Sequence, residues 1–290
     1  MNTEEYPFKS HYFQTPAGKM HYIDEGKGNP IVFVHGNPAW SFLFRRPVSS
    51  LTRKYRCIVP DHIGFGLSDK PSHWSYLPEE HARNLERLLE HIKLRNITLV
   101  VNDWGGPIGL SYALSHPDKV DNIILTNTWL WPVNRELYYI VFSSFMGGSV
   151  GRWLIRKFNF FAKFVIKISF GDKSRLTPEI HRHYLNPLGK EHERKGCWVF
   201  PQAILGSTPW LDTLWSKREV LKNKRVLIVW VMKDIAFRKK ELTKWRQAFP
   251  NANTIRFSDA GHFVAEEKGD EFAVTIENFL MTKSSEAKLF

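Results

Sequence analysis

Three residues with the chemistry for nucleophilic catalysis, Asp103, Asp234 and His262, fall in that order along the chain, each after a short run that reads as a strand. Leu99-Val100-Val101 leads into Asn102-Asp103-Trp104-Gly105-Gly106. RVLIVWV (225–231) precedes Met232-Lys233-Asp234, and NTIRF (253–257) precedes Ser258-Asp259-Ala260-Gly261-His262-Phe263. A nucleophile, an acid and a histidine on loops at successive strand ends are the parts of a triad, in which the histidine is the general base and the acid fixes its tautomer. The nucleophile is the unusual member. A sharp strand-to-helix elbow commonly exposes a serine, and here it presents a carboxylate. With an ordinary pKa of ~3.9 an aspartate is already ionised at neutral pH and needs no base to attack. Its attack leaves an ester, which activated water can open in a second step.

Such loops must be held by a sheet. IVFV (31–34) and CIVP (57–60) are continuous apolar runs that end in His35-Gly36-Asn37-Pro38 and Asp61-His62-Ile63-Gly64-Phe65-Gly66, as buried parallel strands feeding functional loops do. Residues 10–23 read as two strands around a Pro-Ala-Gly turn. Residues 77–94 put Leu85, Leu88, Leu89 and Ile92 on one helical face behind Pro78-Glu79-Glu80. ITLVV (97–101), a helix over 105–115, NIILTN (122–127), RVLIVWV and NTIRF continue the alternation. The expected fold class is α/β, a mostly parallel central sheet flanked by helices. From about 128 to 224 the alternation stops and the sequence turns helical, aromatic and basic. We expect there an inserted helical cap over the C-terminal edge of the sheet, where open α/β folds hold ligands. The expected organisation is a core in two parts, 1–127 and 225–290, with a cap at 128–224.

Composition narrows the function classes. A chain of 290 residues that is 43% hydrophobic and 24% charged is globular rather than disordered or fibrous. Its net charge of +12 comes without a nucleic-acid-binding motif, so the basic exterior is read as solvated surface and no nucleic-acid partner is expected. Cys57 and Cys197 have neither metal-binding spacing nor the number for a disulfide framework, which fits a reducing, cytoplasmic setting. MNTEEYPFKS is not a secretory signal. FNFFAKFVIKISF (158–170) is broken by lysines and shorter than the ~20 residues a membrane span needs.

Five stretches, HGNPAWSFLFR (35–45), PDHIGFGLSDKP (60–71), VNDWGGPIGL (101–110), MKDIAF (232–237) and DAGHF (259–263), together resemble the haloalkane dehalogenases of the α/β-hydrolase superfamily. The resemblance extends over nearly the whole chain. It implies the α/β-hydrolase fold, a small apolar halogenated substrate, release of alcohol, halide and a proton, and no cofactor or metal. It also implies roles: Asp103 as the nucleophile that forms an alkyl ester, His262 as the base that activates water, and Asp234 as the acid. The side chains of Asn37 and Trp104 would hold the halide, and their backbone N–H groups would form the oxyanion hole. The residue types suit this work. A serine displacing halide from a saturated carbon would leave an ether that water does not readily remove, and an indole N–H is a donor without acceptor capacity. In the family the acid can instead follow the strand at NIILTN, but Asn127-Thr128 stand there, so Asp234 is the assignment. The set resembles one subgroup, with an Asp triad acid and an Asn/Trp halide pair. Ala39, where threonine is common, and Val101, in place of the first glycine of the general elbow, depart from the pattern.

Other readings compete with these. Epoxide hydrolases use the same triad and need tyrosine hydroxyls from the cap, for which Tyr138, Tyr139 and Tyr184 are available. A non-catalytic small-molecule-binding protein on the same fold is the alternative from another class. Taken singly, Asp103 could cap a helix, Asp234 could be a surface acid and Asn37 could make a turn with Pro38. His181, His183 and His192 are read as exposed cap histidines, and Trp129, Trp131, Trp198, Trp210 and Trp215 as packing residues of which some line a pocket. The segment GRWLIRKFNFFAKFVIKISF (151–170) has a wider apolar set than one buried helix face requires. Part of it is expected to be exposed, for self-association or contact with an anionic membrane surface.

Overall fold

The computed structural model describes residues 5–282. One eight-stranded sheet organises them, built from β1 (Ser10–Thr15), β2 (Gly18–Glu25), β3 (Pro30–Val34), β4 (Arg56–Pro60), β5 (Ile97–Asp103), β6 (Val120–Thr128), β7 (Arg225–Val231) and β8 (Asn253–Phe257). The spatial order is β1-β2-β4-β3-β5-β6-β7-β8. β2 pairs antiparallel with β1 and β4, and every other pairing is parallel. The central parallel strands read as largely apolar runs because both faces of the sheet are covered there, whereas β8 at the edge is mostly exposed. β3 is buried throughout, and β5 is buried until its last residue.

Helices α1 (Arg45–Leu51), α2 (Pro78–His91) and α3 (Gly105–Ser115) follow β3, β4 and β5. α2 starts at Pro78 with Glu79 and Glu80 in its first turn, where the helix dipole favours negative charge, and it buries Leu85, Leu88 and Leu89. It ends three residues before the expected boundary, because Lys93 and Asn96 take left-handed backbone angles (φ 53° and 55°).

Between β6 and β7, residues 129–224 contain no strand. They form α4 (Leu137–Met146), α5 (Ser149–Phe158), α6 (Ile166–Ser169), α7 (Pro178–Leu185), α8 (Lys195–Gly206) and α9 (Thr208–Ser216), joined by short 3₁₀ turns. The segment 151–170 is not a single helix. Asn159, left-handed at φ 53°, stops α5, and its Nδ2 donates to the Leu188 carbonyl at 3.1 Å. One π turn, Phe161–Val165, then leads into α6. Ile155, Phe161, Ala162 and Ile166 are buried, while Trp153, Phe158, Phe164 and Ile168 are exposed. The apolar set is therefore divided between two faces.

One expectation for the insertion is corrected. His181 and His183 are buried, and only His192 is exposed. His181 Nε2 donates to the Ala162 carbonyl at 2.7 Å, and His183 stacks on Phe42 at 4.3 Å between ring centres. They lie on the inward face of α7 with Ile180 and Tyr184, and burial lowers both imidazole pKa values. α10 (Lys239–Ala248), α11 (Val264–Glu267) and α12 (Gly269–Met281) complete the chain. No helix among the described residues is long and apolar enough to cross a membrane.

Candidate active site

The site lies where the sheet's connections diverge. β3 and β5 are neighbours, yet the chain leaves β3 for β4 on one side and leaves β5 for β6 on the other. Loops at the C-terminal ends of such strands open a crevice. Asp103 is the last residue of β5 and has φ 52°, a left-handed conformation that is costly for a residue with a side chain and is found at strained functional turns. Thr128 Oγ1, at the end of β6, donates to the Asp103 carbonyl at 2.6 Å and holds the turn.

The loop after β3 closes on the carboxylate because residue 36 is glycine: a Cβ there would stand 2.1 Å from Asp103 Oδ1. The backbone N–H of Asn37 therefore donates to Oδ1 at 2.9 Å, and the Trp104 N–H lies beside the same carboxylate and favours its charged form. Two backbone donors thus converge on one carboxylate, an arrangement able to stabilise negative charge there. Val101, the departure from the general elbow, fits because Gly109 on α3 faces it: a Cβ on Gly109 would come within 2.8 Å of Val101 Cγ1.

Asp103, His262 and Asp234 come together. His262 Nε2 is 3.9 Å from Asp103 Oδ2, and His262 Nδ1 donates to Asp234 Oδ2 at 2.8 Å. Burial lowers the imidazole pKa, but the Asp234 charge and hydrogen bond, with Asp103 nearby, outweigh it and leave His262 at about 9. Burial raises the Asp103 pKa against the opposing pull of His262 and the two backbone donors.

Three supporting residues escaped the sequence reading. Asn127 stands where the alternative acid would be, and it holds the acid instead: its Nδ2 donates to Asp234 Oδ2 at 2.8 Å and to the Val231 carbonyl at 3.2 Å. Its Oδ1 accepts from Val231 N at 2.8 Å. Thr128 fixes the elbow, as described. Glu267 accepts from Gly261 N at 2.9 Å and from Asp172 N at 2.8 Å, so it ties the histidine loop to the insertion. The pairing of Asn127 and Thr128 after an apolar run was visible, but the partners they reach are over a hundred residues away for Asn127 and twenty-five for Thr128.

Asp103 and His262 line a cavity of about 90 Å³ whose walls are mostly apolar, while Asp234 stands behind the imidazole. The core supplies Asn37, Trp104, Trp129 and Phe237, and the insertion supplies Phe142, Phe161, Val165 and Ile204 among others. Asn37 Oδ1 is buried without a hydrogen-bond partner among the described residues. The Trp104 ring is wedged between Trp129 and Phe200, with ring centres at 4.6 and 5.4 Å. Of the other tryptophans considered, Trp131 packs against Trp215 and Trp245 away from the cavity. The tyrosine hydroxyls are engaged elsewhere. Tyr138 donates to the Ile235 carbonyl at 2.8 Å, Tyr139 to Glu241 at 2.9 Å and Tyr184 to Glu266 at 2.8 Å, and Tyr184 does not line the cavity. Among the described residues no group of three or more His, Cys, Asp or Glu side chains is placed to share a metal ion.

Comparison with known proteins agrees with this geometry. Residues 29–269 match the model of the α/β-hydrolase fold family. The chain is 37% identical to haloalkane dehalogenase 2 of Mycobacterium tuberculosis, over 93% of this chain and 94% of that one. It is also 37% identical to a cis-3-alkyl-4-alkyloxetan-2-one decarboxylase of Xanthomonas campestris, over 91% of this chain and 93% of that one. Among solved structures, the haloalkane dehalogenase DatA of Agrobacterium tumefaciens superposes with a TM-score of 0.85 at 25% identity, covering 94% of this chain and 96% of that one. An aspartate elbow on a mostly parallel eight-stranded sheet, matched along nine-tenths of the chain, places this protein in the haloalkane dehalogenase family of the α/β hydrolases.

Proposed function

We propose that the protein hydrolyses haloalkanes to alcohol, halide and a proton through a covalent ester on Asp103. The carrying observation is the inequality of the two carboxylate oxygens. Oδ1 is held by the Asn37 N–H, while Oδ2 faces His262 across 3.9 Å. Oδ2 is thus the oxygen free to attack. In the first step it bonds to the carbon bearing the halogen, the carbon–halogen bond breaks, and the halide leaves with the bonding pair toward Trp104 and Asn37. In the second, His262 Nε2 takes a proton from water, and the hydroxide attacks Asp103 Cγ. Oδ1 carries the transient negative charge in the oxyanion hole, and the bond from Cγ to the alkyl oxygen breaks. The alkoxide takes the proton held on His262 Nε2 and leaves as alcohol, and the carboxylic acid left on Asp103 gives up its proton to solvent and is again a carboxylate.

The helices of 128–224 act in this reading as a cap that keeps water from the cavity, with 1–127 and 225–290 as the core beneath. Epoxide hydrolysis fits less well, since it needs free tyrosine hydroxyls at the substrate and those of Tyr138 and Tyr139 are bound to Ile235 and Glu241. A non-catalytic binding protein has no use for a base held against its nucleophile.

A second reading rests on the Xanthomonas campestris relative, which is as similar to this chain as the mycobacterial dehalogenase. In it a four-membered lactone held in the same cavity breaks its C2–C3 and C4–O ring bonds to give an alkene and carbon dioxide, with no uptake of water. Incubation with 1-bromohexane and, separately, with a cis-3,4-dialkyloxetan-2-one separates the two. Bromide release with hexanol supports dehalogenation. Carbon dioxide and alkene from the lactone, with no bromide from the bromoalkane, overturns it in favour of the decarboxylase.

A further inference from the structure

Residues 137–171 contain Arg152, Arg156, Lys157, Lys163 and Lys167 and no aspartate or glutamate. The same stretch exposes an unusual amount of apolar surface. Leu137, Val141 and Phe145, four residues apart, form a stripe on the outer face of α4, whose inner face buries Tyr139, Ser143 and Met146. Trp153 and Phe158 on α5 are both exposed, with ring centres 5.1 Å apart. Along the π turn and into α6, Phe164 and Ile168 are exposed while Phe161 and Val165 line the cavity. A domain rarely exposes this many large apolar side chains within one segment without a use for them.

The exposed surface adjoins the cavity. Tyr138 and Ile235 line the cavity and are also 37% and 44% exposed, so they mark its mouth. Tyr138 sits between Leu137 and the next turn at Val141. Of the cations, Arg156 and Lys157 share Glu191, whereas Lys163 and Lys167 form no ion pair among the described residues.

A second copy of the chain is a poor occupant for this face. Two-fold pairing would set the same five cations against themselves. An anionic bilayer supplies the opposite charge at its surface and, just beneath, a medium that accepts aromatic and aliphatic side chains. We propose that the outer face of residues 137–168 docks on an anionic lipid surface with the cavity mouth turned toward it, so that a lipophilic substrate enters from the bilayer. The docking stands independently of the chemistry at Asp103, and only the delivery of substrate rests on the dehalogenation reading.

Co-sedimentation with vesicles of phosphatidylcholine, with and without phosphatidylglycerol, tests the docking. The protein should bind only the anionic vesicles and should release as salt rises. Lys163→Gln/Lys167→Gln should weaken binding about 30-fold, from about 1 kcal/mol for each surface cation. Phe164→Ser should weaken it as well. None of these positions lines the cavity, so turnover of a short, water-soluble bromoalkane should be unchanged and shows that the variants are folded. With a long-chain 1-bromoalkane dissolved in the vesicles, the same variants should lose turnover. Failure of the folded protein to bind anionic vesicles, or equal binding to neutral ones, overturns the proposal. So does a concentration-dependent dimer, seen by sedimentation equilibrium and lost in Phe164→Ser, with no vesicle binding. If no bromoalkane of any length is turned over, the dehalogenation reading fails and sedimentation alone still decides the docking.

Discussion

At Asp103 one carboxylate oxygen is held by a backbone N–H and the other faces His262, and in the proposed mechanism the two chemical steps separate along the same line. In that mechanism only the second step needs a base. His262→Ala should therefore release one equivalent of halide and stop, with the alkyl group retained on the protein and visible by mass spectrometry, while Asp103→Ala forms no adduct. Repeated turnover by His262→Ala would place the base elsewhere. Trp104→Phe removes an N–H donor and keeps much of the ring, so carbon–halogen cleavage should fall about 10²- to 10³-fold, as for loss of one donor to developing charge. The pH dependence also divides. In the free enzyme His262 titrates at about 9, held up in part by the Asp103 charge. Esterification removes that charge, so the pKa of the alkyl-enzyme lies lower and neutral imidazole becomes more abundant when it is needed. Ester hydrolysis should rise with pH up to that lower pKa and then level off. Rapid-quench experiments at decreasing pH should show a growing burst of halide over alcohol. A burst that is independent of pH would mean that His262 does not activate the water.

The elements show why some of this is legible in sequence and some is not. β3, β5, β6 and β7 are parallel and buried on both faces, so each appears as an apolar run, and the loop after each carries its functional residue in a fixed place. Asp103 and Asp234 could be found from that pattern, and His262 from its place last in the chain order, after the edge strand β8. Asn127 could not be assigned, because its role exists only through Val231 and Asp234, which the sheet brings beside β6 from across the insertion. The burial of His181 and His183 depends in the same way on Ala162 and Phe42, and the break in 151–170 depends on a left-handed Asn159 secured by Leu188. Asn127→Leu keeps the bulk at the end of β6 but leaves Asp234 with one fewer donor and the Val231 N–H unpaired. It should cost about 1.5–3 kcal/mol, typical of a hydrogen bond to a charged group, and slow ester hydrolysis more than halide release, because Asp234 acts through His262. Equal slowing of both steps in single-turnover measurements would assign Asn127 a purely structural part.

Across the whole molecule, one buried ion pair joins the parts that build the cavity. Arg45, at the start of α1, makes a bidentate pair with Glu266 on α11, both bonds at 2.6 Å, and Tyr184 on α7 of the insertion donates to the same carboxylate at 2.8 Å. The guanidinium also lies 3.9 Å from the centre of the Phe42 ring. Glu266 is four residues past His262, so the core, the histidine loop and the insertion meet at one carboxylate. A buried pair of this kind adds little net stability over an apolar pair, but removing one partner strands a charge. Arg45→Met should therefore cost about 3–5 kcal/mol, and by the usual scaling for chains of this size the melting temperature should fall by roughly 10 °C. Arg45→Met/Glu266→Gln, which removes the stranded charge, should recover part of that loss, and the non-additivity measures the coupling. Tyr184→Phe leaves the bidentate pair intact and should cost about 1 kcal/mol. Because α11 follows the histidine loop directly, Arg45→Met should also slow ester hydrolysis in the protein that remains folded. Wild-type melting of Arg45→Met, followed by calorimetry, would show that Glu266 finds another partner and that this ion pair is not what joins the insertion to the core.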